Sequence, residues 1–278
     1  MRTPTIDARS ESKKNRPAAV LNDIRFWFLE YAAGYGQGDP DQHYHFELKR
    51  RHSLRVCAQM KHLARELGLS SPEIDTARII GLLHDVGRFE QYARFRTYAD
   101  SVSLDHAAAG ADIIQSKGIL ADLSPDLQEQ IICAIRYHNK AAIPAELSGR
   151  RRFWARMIRD GDKLDIWRVI LSDYCRTARK EPDVTGLFSC YPRNPDISGP
   201  VYQAVLNTTT VDLAEVVTLN DVKLMQMAWI FDLNFKPSFH MVRRRGYLKK
   251  IYATMPPDPK IKSAYDHILS YLNSAARV

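Results

Sequence analysis

Cysteine is scarce and scattered. Cys57, Cys133, Cys175 and Cys190 lie far apart, and none forms a Cys-x-x-Cys pair. That spacing argues against a disulfide framework and against a thiolate zinc site, and it fits a reducing cytoplasm. No apolar run approaches the ~20 residues of a membrane span. Met1 to Arg16 is polar and charged, without the hydrophobic stretch of a secretory signal, and reads as the start of a disordered tail. A glycine-rich phosphate loop, a dinucleotide fingerprint and a Ser/His/Asp nucleophile arrangement are all missing. So are alternating strand-like segments and the aromatic-interleaved basic motifs of nucleic-acid modules.

What is present is basic and helical. A formal charge of +8 and a pI near 9.3 favour anionic partners. Clusters occur at Lys49-Arg50-Arg51, Arg150-Arg151-Arg152 and Arg243-Arg244-Arg245. Each reads first as a solvated helix face. A small phosphorylated molecule explains a basic cleft as well as nucleic acid does; nucleic acid is not favoured, and no membrane partner is expected.

Helical periodicity dominates after a Gly/Pro/Asp-rich break at residues 34–41. A helix from about Phe46 to Leu67 carries His52, Val56, Met60, Leu63 and Leu67 on one stripe. Ser71-Pro72-Glu73 supplies a cap, a first-turn proline and an acid for a second helix bearing Ile74, Ala77, Gly81 and His84, with Gly87 as its stop. Ser103 is the expected cap of a helix carrying His106, Gly110, Ile113 and Ile114. Ser124-Pro125-Asp126 starts another, with Leu127, Ile131 and Ala134 leading to His138. A long helix after residues 144–149 aligns Ile158, Asp162, Ile166 and Val169. Helix also continues through Val222 to Phe235, with breaks at Ser198 to Pro200 and Pro256-Pro257.

Candidate metal ligands sit on these inward stripes. His52, His84, His106 and His138 are four of nine histidines, on four separate helices, and Asp85 adjoins His84. One such histidine is usually a hydrogen-bonded core residue. Four with a carboxylate are costly to bury without a compensating cation. Among Asp160, Asp162 and Asp165, residues two apart on a helix point about 200° apart. Ile158 and Ile166, four residues either side, select Asp162; Asp165 falls beside it and Asp160 is expected in solvent. His43 and His45 are read as exposed, and His62, His240 and His267 have no partner pattern. Met225, Met227, Trp229 and Phe231 read as packing.

The ordered set His52, His84-Asp85, His106, His138, Asp162 resembles the HD-domain superfamily of metal-dependent phosphohydrolases. Leu-His-Asp-Val-Gly-Arg-Phe-Glu-Gln (83–91), Leu-Asp-His-Ala (104–107) and Asp-Gly-Asp-Lys-Leu-Asp (160–165) resemble a group of stand-alone HD hydrolases, over roughly residues 45–175. The Trp229 to Phe235 segment is similar to the C-terminal part of that group. The resemblance implies an all-α fold: a tail at 1–19, then one domain over 20–278, with a metal-binding core at about 45–175 and added C-terminal helices at 176–278. It implies His52, His84, Asp85 and Asp162 as ligands of one ion, His106 and His138 as the pair added for a second, and Asp85 as the bridge. Arg88 stands where many relatives have lysine, and no cyclic-dinucleotide hydrolase signature follows the core.

An imidazole-rich set suits two ions of Fe, Mn, Co, Ni or Zn better than Mg. The implied reaction is attack of activated water on a phosphoester or phosphoanhydride, in a nucleotide or another small phosphorylated metabolite. Arg88 and Lys163, each within three positions of a ligand, are the expected phosphoryl-facing cations, ahead of Arg94, Arg96 and Lys140. The same six ligands also serve di-iron oxygenases of this fold, and a nucleotide-sensing module without turnover is a third reading.

Overall fold

A computed structural model describes residues 17–178, 191–192 and 194–277, apart from the side chains of residues 41 and 175–178. Most of the expected N-terminal tail, and Cys190, lie outside these residues. Among the described residues the secondary structure is helical throughout, with no strand, and no helix is long and apolar enough to cross a membrane. The chain divides into two compact units, one through Gly161 and one from Asp162.

In the first unit, α1 (Pro17–Ala33) begins inside the segment expected as tail. Its buried face, Val20, Leu21, Ile24 and Phe28, has helical spacing. α2 (Pro40–Glu66) starts six residues earlier than its apolar stripe announces. α3 (Ser71–Leu83) lies along α2 at very short range. A Cβ on Gly81 would sit 2.8 Å from Met60 Cγ and 3.0 Å from both Cys57 Cα and Val56 O, so only glycine permits this approach. α3 is capped by Ser70 rather than Ser71, with Glu73 Oε2 accepting from the Ser70 backbone N–H at 2.9 Å and from its Oγ at 2.6 Å.

Gly87 opens α4 (Gly87–Phe95) instead of ending α3. Its φ is not positive, so it is no left-handed cap; its role is proximity. α5 (His106–Ser116) crosses there, and a Cβ on Gly87 would lie 2.1 Å from His106 O. Asp105, not Ser103, caps α5, accepting from the N–H groups of Ala107 (3.1 Å) and Ala108 (3.3 Å). The Ser103 hydroxyl is occupied elsewhere, donating to Ala99 O at 2.7 Å. α6 (Pro125–Tyr137) begins at Ser124-Pro125 as its sequence indicates and ends at His138. Fully buried Phe89 of α4 meets the rings of Phe28, Tyr31, Tyr35 and Phe46 at 5.6–6.1 Å.

α7 (Gly149–Ala178) begins in the first unit, where Trp154 Nε1 donates to Gln130 Oε1 at 3.0 Å. In the second unit its Trp167 is fully buried and donates to Gln226 O at 2.8 Å, while Tyr247 donates to Leu164 O at 3.0 Å. Around it lie α8 (Gly199–Leu206), α9 (Leu219–Ala228), α10 (Lys236–Arg245), α11 (Tyr247–Tyr252) and α12 (Pro259–Ala275). Thr218 and Asp221 form a capping box at α9, and a 3-10 turn (Trp229–Asp232) follows that helix. Met227 is buried, Trp229 lies 6.1 Å from Trp167, and Phe231 packs edge-on against Tyr271, so this patch is packing.

Asp160 departs from expectation. It is fully buried, on the same helical row as buried Met157, Leu164 and Trp167. Asp165 is buried too, whereas Asp162 and Lys163 are only half-buried.

Candidate metal centre

Four histidines and one aspartate of the first unit converge on one buried space. Their exposures are 4% for His52, 0% for His84, 3% for Asp85, 1% for His106 and 5% for His138. His52 comes from mid-α2, His84-Asp85 from the joint between α3 and α4, His106 from the first residue of α5, and His138 from the end of α6.

Asp85 stands at the middle. Its Oδ2 faces His52 Nε2 at 3.6 Å and His84 Nε2 at 3.8 Å. Its Oδ1 faces His106 Nε2 at 3.3 Å and His138 Nε2 at 3.7 Å. One carboxylate thus serves two imidazole pairs, one per oxygen. In each of two triplets, His52–His84–Asp85 and Asp85–His106–His138, the ligand atoms lie within 4.8 Å of one another.

Three of the rings have their outer nitrogen committed. His84 Nδ1 donates to Gly81 O at 3.0 Å, His138 Nδ1 to Ile135 O at 2.7 Å, and His106 Nδ1 to Asp100 Oδ2 at 2.6 Å. A carbonyl oxygen can only accept, so in the neutral ring the proton sits on Nδ1 and the Nε2 lone pair points inward. His106 Nε2 and His138 Nε2 are 3.1 Å apart, and two lone pairs at that separation repel. A cation between or beside them removes the repulsion, and a neutral imidazole backed by a carbonyl or carboxylate is the form that binds divalent metals. His52 Nε2 and His84 Nε2 lie 3.2 Å apart. The donor set therefore fits divalent metal.

Charge around the centre is balanced from outside. Burial pushes the Asp85 carboxyl up, but Lys49 and the facing imidazoles of His84, His106 and His138 outweigh it and hold the group well below the usual carboxylate range. Lys49, which the sequence places only in a basic cluster, puts Nζ 3.0 Å from Asp85 Oδ2 and 4.9 Å over the Tyr98 ring. Its place three residues before His52, on the same helix face, is the signal that could have found it.

Arg88 is close by, with Nε 3.6 Å from Asp85 Oδ1. Its Nη1, however, donates to Tyr98 O (2.5 Å), Gln91 Oε1 (2.8 Å) and Asp100 Oδ1 (2.9 Å). Through Nη1 it braces the loop. Lys163 pairs with Asp232 at 2.6 Å within the second unit. Lys140 pairs with Asp105, Arg94 pairs with Glu90, and Arg96 is an exposed left-handed helix cap. His45 is not exposed as its position suggests; it stacks on Tyr92 at 4.3 Å. His240 and His267 have ordinary partners in Ala276 O and Thr208 Oγ1.

Residues 50–177 match the family model of the HD domain. Residues 50–177 of this chain are thus an HD domain. No curated protein and no solved structure matches it significantly. The matched region contains all five converging residues and Asp162, the first residue of the second unit on the continuous helix α7. HD domains are in general metal-dependent hydrolases, which agrees with clusters of His and Asp able to hold divalent ions.

Proposed function

We propose that this HD-domain protein is a metal-dependent phosphohydrolase with two ions. His52, His84, Asp85 and Asp162 would hold one; His106, His138 and again Asp85 would hold the other. The observation that carries the reading is the division of the two Asp85 oxygens between two histidine pairs. Imidazole-rich ligation favours Fe, Mn, Co, Ni or Zn over Mg. Such ions supply Lewis acidity that makes water nucleophilic near neutral pH and offsets charge on a phosphoryl group.

The chain's own residues do the rest. Asp85 keeps both halves in register. Lys49, 18% exposed beside ligands that are almost wholly buried, holds a positive charge 3.0 Å from Asp85 Oδ2 and would contact a phosphoryl oxygen. Arg88 keeps the Tyr98 loop and Asp100 in place. Asp162 enters the set as the ligand that the HD-domain resemblance implies. Lys163 has a weaker claim than Lys49, because Asp232 already neutralises it.

The substrate is a nucleotide or another small phosphorylated metabolite. Elemental analysis of protein purified without chelator, followed by a phosphate-release panel over nucleotides and an aryl phosphate, tests the proposal. Near two ions per chain, with release lost in His84→Ala and Asp85→Ala, is the expected result. Oxygen consumption in place of phosphate release would move the site to di-iron oxygenase chemistry. Ligand binding without any turnover by fully loaded protein would make it a sensor.

A further inference from the structure

Asp100 reaches the centre from a short 3-10 turn (Asp100–Val102), outside the helices that carry the histidines. Its carboxylate is densely engaged. His106 Nδ1 donates to Oδ1 and Oδ2 at 2.9 and 2.6 Å, and Arg88 Nη1 and Gln91 Nε2 donate to Oδ1 at 2.9 and 2.8 Å. Asn139 Nδ2 donates to Oδ2 at 2.9 Å, and its second proton goes to Asp105 Oδ1 at 2.8 Å. The amide orientation is dictated by chemistry, since only its NH2 end can face two carboxylates. Asn139 follows His138 in the chain and Asp105 precedes His106. The two imidazoles of one pair are thus tied together from behind through Asp100.

The other pair is held differently. His84 Nδ1 donates to Gly81 O, a backbone group of its own helix. Asp100 itself is poorly placed to be a ligand. Although Asp100, Asp105 and His106 also cluster within 4.8 Å, Asp105 is committed to capping α5 and to Lys140, and His106 Nδ1 already donates to Asp100.

We infer that Asp100 is a positioning residue for one ion only. It fixes the tautomer of His106 and, through Asn139, the placement of His138, so that the His106–His138–Asp85 Oδ1 position depends on it and the His52–His84–Asp85 Oδ2 position does not. This inference rests on the dinuclear reading above.

The test is a calorimetric titration of metal-stripped protein with Mn2+, with elemental analysis of the chelator-free preparations. Asp100→Ala should lose one of two ions, or bind it about 10–100-fold more weakly, while the other changes by no more than about twofold. Asp100→Asn keeps an acceptor oxygen for His106 and should restore most of that affinity. A thermal melt monitors folding; if the alanine variant unfolds, Asn139→Ala carries the measurement and should weaken the same single ion. Equal weakening of both ions, or two ions bound by Asp100→Ala as in the wild type, overturns the inference and leaves the metal-centre reading standing. A wild type that holds fewer than two ions overturns both.

Discussion

Replacing Gly87 by alanine should be among the most damaging one-carbon changes in the chain. The added Cβ would lie 2.1 Å from His106 O, 2.7 Å from Gly110 N and 3.0 Å from His106 C. Ordinary contacts begin near 3.4 Å, so α4 and α5 must part by about 1.3 Å (3.4 less 2.1). All three opposing atoms are backbone, and no side-chain rotation relieves them. Overpacking in a core costs about 1–3 kcal/mol when side chains can adjust, so about 3 kcal/mol or more is expected here. That is a fall in melting temperature of roughly 6–12 °C. His106 is the first residue of α5, so the same separation draws an imidazole away from Asp85. Metal content should fall with the melting temperature. The control is Gly199→Ala, where a Cβ meets nothing within 4 Å, and a change of about 0.5 kcal/mol or less is expected. A Gly87→Ala protein that melts with the wild type and keeps its metal would refute the close-crossing argument.

Arg159→Met should cost about 2–3 kcal/mol in urea denaturation, because Arg159 donates to the carbonyls of His138, Lys140 and Ala141. A loss below about 0.5 kcal/mol would show that water replaces it fully. Glu47 is pulled to about 2 by its hydrogen bond with Arg50, helped by Arg51 and opposed by burial. A carboxyl lowered on folding adds stability above its unfolded pKa of about 4.3 and loses it as the pH falls toward 2. Melts of wild type and Glu47→Gln between these limits should converge at the acid end, and parallel curves would contradict the assignment. Lys49→Met should raise KM for a phosphorylated substrate by about tenfold, a loss of ~1.4 kcal/mol of charge-assisted contact. An unchanged KM would remove Lys49 from the substrate's path.

Much of the centre was legible because its ligands obey helical spacing. His52, Val56, Met60 and Leu63 form one buried row of α2, and the Ser124-Pro125 start of α6 directs attention to His138 at its end. Partners lying far apart in sequence were not legible. Lys49 meets Asp85 across 36 positions, and Asn139 meets Asp100 across 39. Neither separation follows from any local period. Asp100 looks like an ordinary loop acid until its neighbours are placed. Asp160 was misplaced for a different reason. A helix buried on several sides has no solvent face at its middle, so excluding a residue from one stripe does not put it in water. Gly87 misleads in a third way: glycine stops helices through its left-handed freedom, but here it is used for its missing side chain.

The outward nitrogens of His84, His106 and His138 are already spent on oxygen acceptors. Each ring therefore keeps a single nitrogen, the inward one, for an ion, and its oxygen partner would hold the ring aimed whether or not an ion is bound. Metal-stripped protein should then rebind added ions without refolding.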